Sequence, residues 1–149
     1  MRRGIWWLCF VFCVSPGAHA DPQIIEGCDR DAAALLASQP LSFEPGTAAI
    51  LGESRSTLDT LAELAVLCSQ ASIFIEGHTD SMGSDSVNLA LSQRRANTVG
   101  HILRARGVSA DRISSEGFGA SRPIADNATR SGRKLNRRVI VRCVFRSAP

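Results

Sequence analysis

The chain has 149 residues, 44% of them hydrophobic, and a formal net charge of +3, a length that suits one ordinary domain with a real core. The 17 basic residues, Arg2 and Arg3 among them, face 14 acidic ones, and without these two arginines the formal charge falls to +1. So balanced a chain lacks the broad attraction that nucleic acid or an anionic membrane exploits, and any ligand must be recognised locally.

Residues 1–20 read as a secretory signal. Arg2 and Arg3 precede an apolar run from Ile5 to Val14, and Ala18-His19-Ala20 is the small-x-small pattern of a cleavage site, placed before Asp21. The run is about half of the roughly 20 residues a membrane span needs, so a retained anchor is the weaker alternative. Cys9 and Cys13 lie inside the run with no lipobox before them, so no lipid anchor is expected. The rest divides into an N-terminal helical segment, residues 21–38, and a domain, residues 39–149.

Cys28, Cys68 and Cys143 remain after the signal, an odd number. In the last strand Val139, Val141, Cys143 and Phe145 alternate with Arg138, Ile140, Arg142, Val144 and Arg146, so Cys143 reads as a buried core thiol. Cys28 and Cys68 are left as the expected disulfide in an oxidising compartment, in preference to two free thiols. The closed loop of about 40 residues would contribute up to roughly 4 kcal/mol in the chain-entropy account.

Asp29 to Ser38 predicts a short helix with acidic residues in its first turn. Leu41-Ser42-Phe43 predicts a brief strand closed by Pro45-Gly46. From Thr47 to Cys68, the residues Leu51, Leu58, Leu61, Ala62 and Ala65 form a helical stripe. Leu64 and Leu67 fall off that stripe and call for cover from the Asp29 to Ser38 segment. Ser72 to Glu76 predicts a strand ending at Gly77, which delivers His78, Thr79 and Asp80 to a loop. A second long helix is predicted from Ser84, its cap, to Arg106, with Asp85 in its first turn and Gly107 past its end. Arg112 to Phe118 predicts another strand. Gly119 to Lys134, with Pro123, Asn127 and Gly132, predicts a loop before a final strand near Arg137. The pattern predicts an α+β, βαβαβ-type mixed sheet with its helices packed on one face.

On the second long helix Asn88, Leu91, Arg95, Val99 and Ile102 share one narrow sector, while Arg94 points to the solvated flank. Arg95 therefore sits within the apolar stripe and needs a partner, because a desolvated unpaired charge is costly. Asp80 is the nearest candidate. Spacing leaves two readings open. One is a buried Asp80 to Arg95 salt bridge that fixes the loop, which spacing alone favours. The other is a shallow pocket in which a zwitterionic amino acid sets its ammonium on Asp80 and its carboxylate on the guanidinium fork.

The runs Gly77-His78-Thr79-Asp80, Gly83, Asn88, Leu91-Ser92, Arg95-Ala96 and Val99 are ordered as in a known signature. Gly117-Phe118-Gly119, Arg122-Pro123-Ile124-Ala125-Asp126-Asn127, Gly132-Arg133 and Asn136-Arg137-Arg138-Val139 continue it. Together they resemble the OmpA-like C-terminal domain, the family of peptidoglycan-associated lipoproteins and of the stator protein MotB. The resemblance covers most of the chain after the signal and favours the pocket. It implies non-covalent binding of peptidoglycan through the diaminopimelate residue of stem peptides. Asp80 and Arg95 would hold the amino acid head, with Asn88, Thr79 and Arg137 bordering it; structural roles for these last three stay open. It implies that His78 is structural, and Met82 replaces a polar residue common in relatives. It also implies a periplasmic location at the wall and outer membrane, with an outer-membrane protein as a further candidate partner.

An enzyme is the rival class. Only His78 and His101 follow the signal, and His101 falls on the solvent side of its helix, so no zinc constellation, nucleophile elbow or phosphate loop is legible. The chain is therefore read as binding without catalysis, without metal and without cofactor. The alternative is an envelope protein-interaction module that does not bind the wall.

Overall fold

The computed structural model describes residues 22–145, and the expected signal and its cleavage point lie outside them. Helix α1 spans Pro22–Ser38 and α2 spans Arg55–Leu67. Strand β1 (Ala71–Gly77) is followed by α3 (Asp85–Ala105), β2 (Ile113–Gly117), α4 (Arg130–Asn136) and β3 (Val139–Phe145). Single 3-10 turns at Gly52–Ser54 and Ala110–Arg112 lead into α2 and β2.

The sheet is mixed, in the order β2-β1-β3. β1 runs parallel to β2, joined by α3 as the crossover, and antiparallel to β3. Ala71, Ile73 and Ile75 of β1 and Val139, Val141 and Cys143 of β3 are buried on one face. There they meet Cys28 and Ala32 of α1, Leu58, Leu61, Ala62 and Ala65 of α2, and Ala96, Val99 and Leu103 of α3. Phe74, Arg142 and Val144 point to the open face and are exposed, so this is a half-covered sheet of the predicted α+β kind.

Cys28 and Cys68 form the expected disulfide, and Cys143 is the expected buried free thiol. Burial, with Asp29 nearby, raises the Cys143 pKa above the ordinary thiol value. The bond ties α1 to the end of α2, and α1 shares the domain core rather than standing apart from it.

Several expectations are corrected. α1 begins at Pro22, well before Asp29, so Asp29 is no first-turn acid; its Oδ1 accepts from the backbone N–H of Cys143 at 2.9 Å. The predicted strand Leu41 to Phe43 contracts to one bridge between Phe43 and Ile50, and residues 47–51 are extended or irregular rather than helical. Leu64 is half-buried, but Leu67 is 78% exposed: α1 covers the disulfide side of α2 and does not reach it. Finally, the predicted loop from Gly119 to Lys134 ends in α4. No apolar periodicity announces this helix, since its Leu135 is exposed; it is held by polar bonds instead.

Arg112, expected to open a strand, closes the 3-10 turn and donates to the carbonyls of Ala65, Cys68 and Ala71 at 2.7–2.9 Å. It thereby satisfies carbonyls at the C-terminus of α2, where a cation is favoured.

Candidate functional site

β1 ends at Gly77 because the chain there runs against α3. A Cβ on Gly77 would lie 2.2 Å from the carbonyl oxygen of Ser92. Only glycine allows the approach, and it places the next residues beside the first turns of α3. Ser84 caps that helix through its Oγ, which accepts from the backbone N–H of Val87, and Gly107 follows its end at a φ of +96°.

Thr79, Asp80, Asn88, Arg95 and Arg137 all line one cleft of about 580 Å³. Its opposite wall is the segment with Pro40 to Phe43, Pro45, Gly46 and Leu51, and Met82, Leu91 and Lys134 complete it. Backbone at Gly46 thus borders the cleft.

Asp80 is 8% exposed and Arg95 7% exposed, yet no ion pair joins them among the described residues. Asp80 takes a different partner. Its Oδ2 accepts from Arg137 Nη1 at 2.7 Å, and its Oδ1 accepts from the backbone N–H of Met82 at 3.0 Å. The salt bridge to Arg95 that spacing favoured does not form, because Arg137 reaches Asp80 from the C-terminus of α4 while Arg95 is drawn to the opposite wall. There Arg95 Nε donates to the Thr47 carbonyl at 2.9 Å, and its guanidinium carbon lies 4.9 Å from the centroid of the Phe43 ring. Its two Nη groups make no hydrogen bond within the described residues. Burial lowers the Arg95 pKa from the usual guanidinium value and Arg137 adds to this, while Asp80 opposes it.

Asn88 donates from Nδ2 to the Met82 carbonyl at 3.0 Å, bracing the loop after Asp80. Its Oδ1 has no protein donor among the described residues. Thr79 is fixed by its backbone N–H, which donates to the Gly119 carbonyl at 2.9 Å, while its buried Oγ1 has no hydrogen-bond partner. A buried hydroxyl without a partner costs free energy.

Sequence reasoning missed Asn136, which fixes the end of α4. This fully buried amide accepts at Oδ1 from the N–H groups of Ile124 and Ala125 at 2.8 and 3.0 Å. Its Nδ2 donates to the Ala125 carbonyl and to Asn127 Oδ1 at 2.8 and 2.9 Å. The Asn-Arg-Arg run was visible, but nothing in it marks the asparagine as the anchor that positions Arg137. Thr47 was missed because it contributes a carbonyl, which no side-chain pattern reports.

A model of the OmpA family matches residues 42–137. The chain belongs to the OmpA family. The matched span holds Thr47, Asp80, Asn88, Arg95, Asn136 and Arg137 and leaves out α1, Pro40, Leu41 and β3. Outer membrane porin F of Pseudomonas aeruginosa is 39% identical over 114 residues, 76% of this chain and 33% of porin F. The peptidoglycan-binding protein ArfA of Mycobacterium tuberculosis is 40% identical over 100 residues, 67% of this chain and 31% of ArfA. The chain thus spans about a third of these two relatives. The crystal structure of the peptidoglycan-associated lipoprotein from Burkholderia pseudomallei aligns with a TM-score of 0.67 at 26% identity, covering 80% of this chain and 99% of that one.

Within this OmpA-family frame His78 is packed, as expected for a structural residue. It is 1% exposed and stacks on Phe118, with centroids 5.6 Å apart. Burial, then the neighbouring Arg138, lowers its pKa to about 4, against a smaller upward pull from Glu76. His101 is exposed on the far side of α3.

Proposed function

We propose that this chain is a wall-binding module that holds the diaminopimelate residue of peptidoglycan stem peptides non-covalently and catalyses no reaction. One observation carries the reading: Arg95 is held in a cleft with its Nη groups unpaired, across from the carboxylate of Asp80. A doubly charged amino acid head complements that arrangement. Its carboxylate takes the guanidinium fork in two parallel hydrogen bonds. Its ammonium adds to the Asp80 carboxylate, whose two oxygens offer about four acceptor sites and use two within the protein. Asn88 Oδ1, which has no protein donor among the described residues, is a further acceptor on the same wall.

The named peptidoglycan binder among the relatives supports the wall as ligand. The outer-membrane relative supports a place in the envelope, which we assign to the periplasm next to the outer membrane, with an outer-membrane protein as a second partner.

Sedimentation with isolated sacculi tests the proposal. The protein is expected to pellet with them, and Asp80→Ala, Arg95→Ala and Arg95→Lys are each expected to stay in the supernatant. Should all three variants still pellet, the pocket assignment is wrong. Should the unaltered protein not pellet, the protein-interaction alternative takes its place. Release of muropeptides during the incubation would overturn the claim that no reaction is catalysed.

A further inference from the structure

The charges of the cleft do not balance. Arg95, Lys134 and Arg137 line it together with one carboxylate, that of Asp80. Asp80 and Arg137 neutralise one another at 2.7 Å. Arg95 rests only on neutral partners, the Thr47 carbonyl and the Phe43 ring. Lys134 is exposed and makes no ion pair with a described residue. Two positive charges, the buried Arg95 and the solvated Lys134, are left without an ion-pair partner of their own in one concave site, which favours an added anion.

Resting on the wall-binding reading, we propose that the cleft selects a peptide with at least two free carboxylates beside its ammonium, and that Lys134 is the specificity-determining residue for the second. The first carboxylate belongs to the amino acid head on Arg95. The second lies outside that head, elsewhere on the peptide. Lys134, on α4, and Arg137, at its C-cap, both line the cleft, so a cation on a flexible stem borders the head site from the α4 side. The two cations suit different tasks. The planar guanidinium fixes the head in one orientation, whereas a point charge on a flexible stem follows a carboxylate whose position varies. A peptide whose second carboxylate is amidated, or used up in a cross-link, loses this contact. The protein would then distinguish free stem peptides from modified ones, as well as wall from other polymers.

Calorimetric titration of the purified protein with two synthetic diaminopimelate tripeptides tests this. One carries all carboxylates free; the other has the carboxylate outside the zwitterionic head converted to a carboxamide. The free acid is expected to bind about three- to fivefold more tightly, the range for a charge pair that stays partly in solvent. Lys134→Gln is expected to bring the free acid down to the affinity of the amide while leaving the amide unchanged. Equal affinities for the two peptides, or an equal loss for both in Lys134→Gln, would overturn the role of Lys134 and leave the wall-binding reading standing. Failure of both peptides to bind the unaltered protein would overturn that reading and this inference with it.

Discussion

Arg137 donates to Asp80 at 2.7 Å across 57 residues of sequence, and so the acid of the cleft is paired before any ligand arrives. Asp80→Asn keeps the side chain's shape and an acceptor for the Met82 N–H but removes the charge that compensates Arg137. Sacculus binding is expected to fall at least about tenfold, as for truncating one partner of a buried charge pair. Unchanged affinity in a sedimentation isotherm would refute the ionic role of Asp80.

Arg95→Lys separates geometry from charge. The ammonium cannot serve the Thr47 carbonyl and also present a fork to a carboxylate. Binding is expected to drop about as far as in Arg95→Ala, while urea unfolding shows stability lowered by about 1–2 kcal/mol for the lost hydrogen bond and ring contact. Full retention of binding in Arg95→Lys would mean that a point charge is enough.

His78 should make stability sensitive to acid. Its pKa is about 4 folded against 6.5 unfolded, so the unfolded chain binds the extra proton between these values. Stability from the neutral ring is whole above pH 6.5 and is lost as pH falls toward 4, by up to about 3 kcal/mol. His78→Phe, which retains a ring against Phe118, is expected to flatten that part of the urea-unfolding profile. An equally steep profile in the variant would assign the slope to the carboxylates.

Reduction of the Cys28–Cys68 bond, or the double change Cys28→Ala with Cys68→Ala, removes a 40-residue closure. The expected loss is about 4 kcal/mol, read as a lower urea midpoint in the variant. Cys143→Ala, which touches only the buried free thiol, should leave the reductant sensitivity of the protein intact.

Asn136→Ala deletes four hydrogen bonds that tie α4 to residues 124–127. The backbone groups left unsatisfied should cost about 2–4 kcal/mol. Wall binding should weaken as well, because Arg137 follows directly on Asn136. Amide exchange would show α4 opening first, and unaltered protection there would contradict the anchoring role.

Strand alternation was enough to find β3, its buried thiol and, by elimination, the disulfide. The 100° spacing on α3 was enough to put Arg95 on a buried face and to require a partner for it. Both are local periodicities, written wherever one face is apolar. α4 escaped because its fold-determining residue is one buried asparagine, and polar anchoring has no period. The short strand at Leu41 also failed, since propensity for a strand means little where only one bridge, Phe43 to Ile50, is available to pair with it.

The sequence alone determined the half-covered sheet, the buried arginine and the family signature around it, because each rests on residues whose spacing repeats or whose burial is costly enough to demand company. Which group answers that demand was decided only in three dimensions. Arg95 found a backbone carbonyl and an aromatic face, while Asp80 found Arg137, because α4 and the segment around Thr47 converge on the cleft from distant parts of the chain. The attraction of a charge depends on distance in space and on what lies between, and spacing along the chain reports neither.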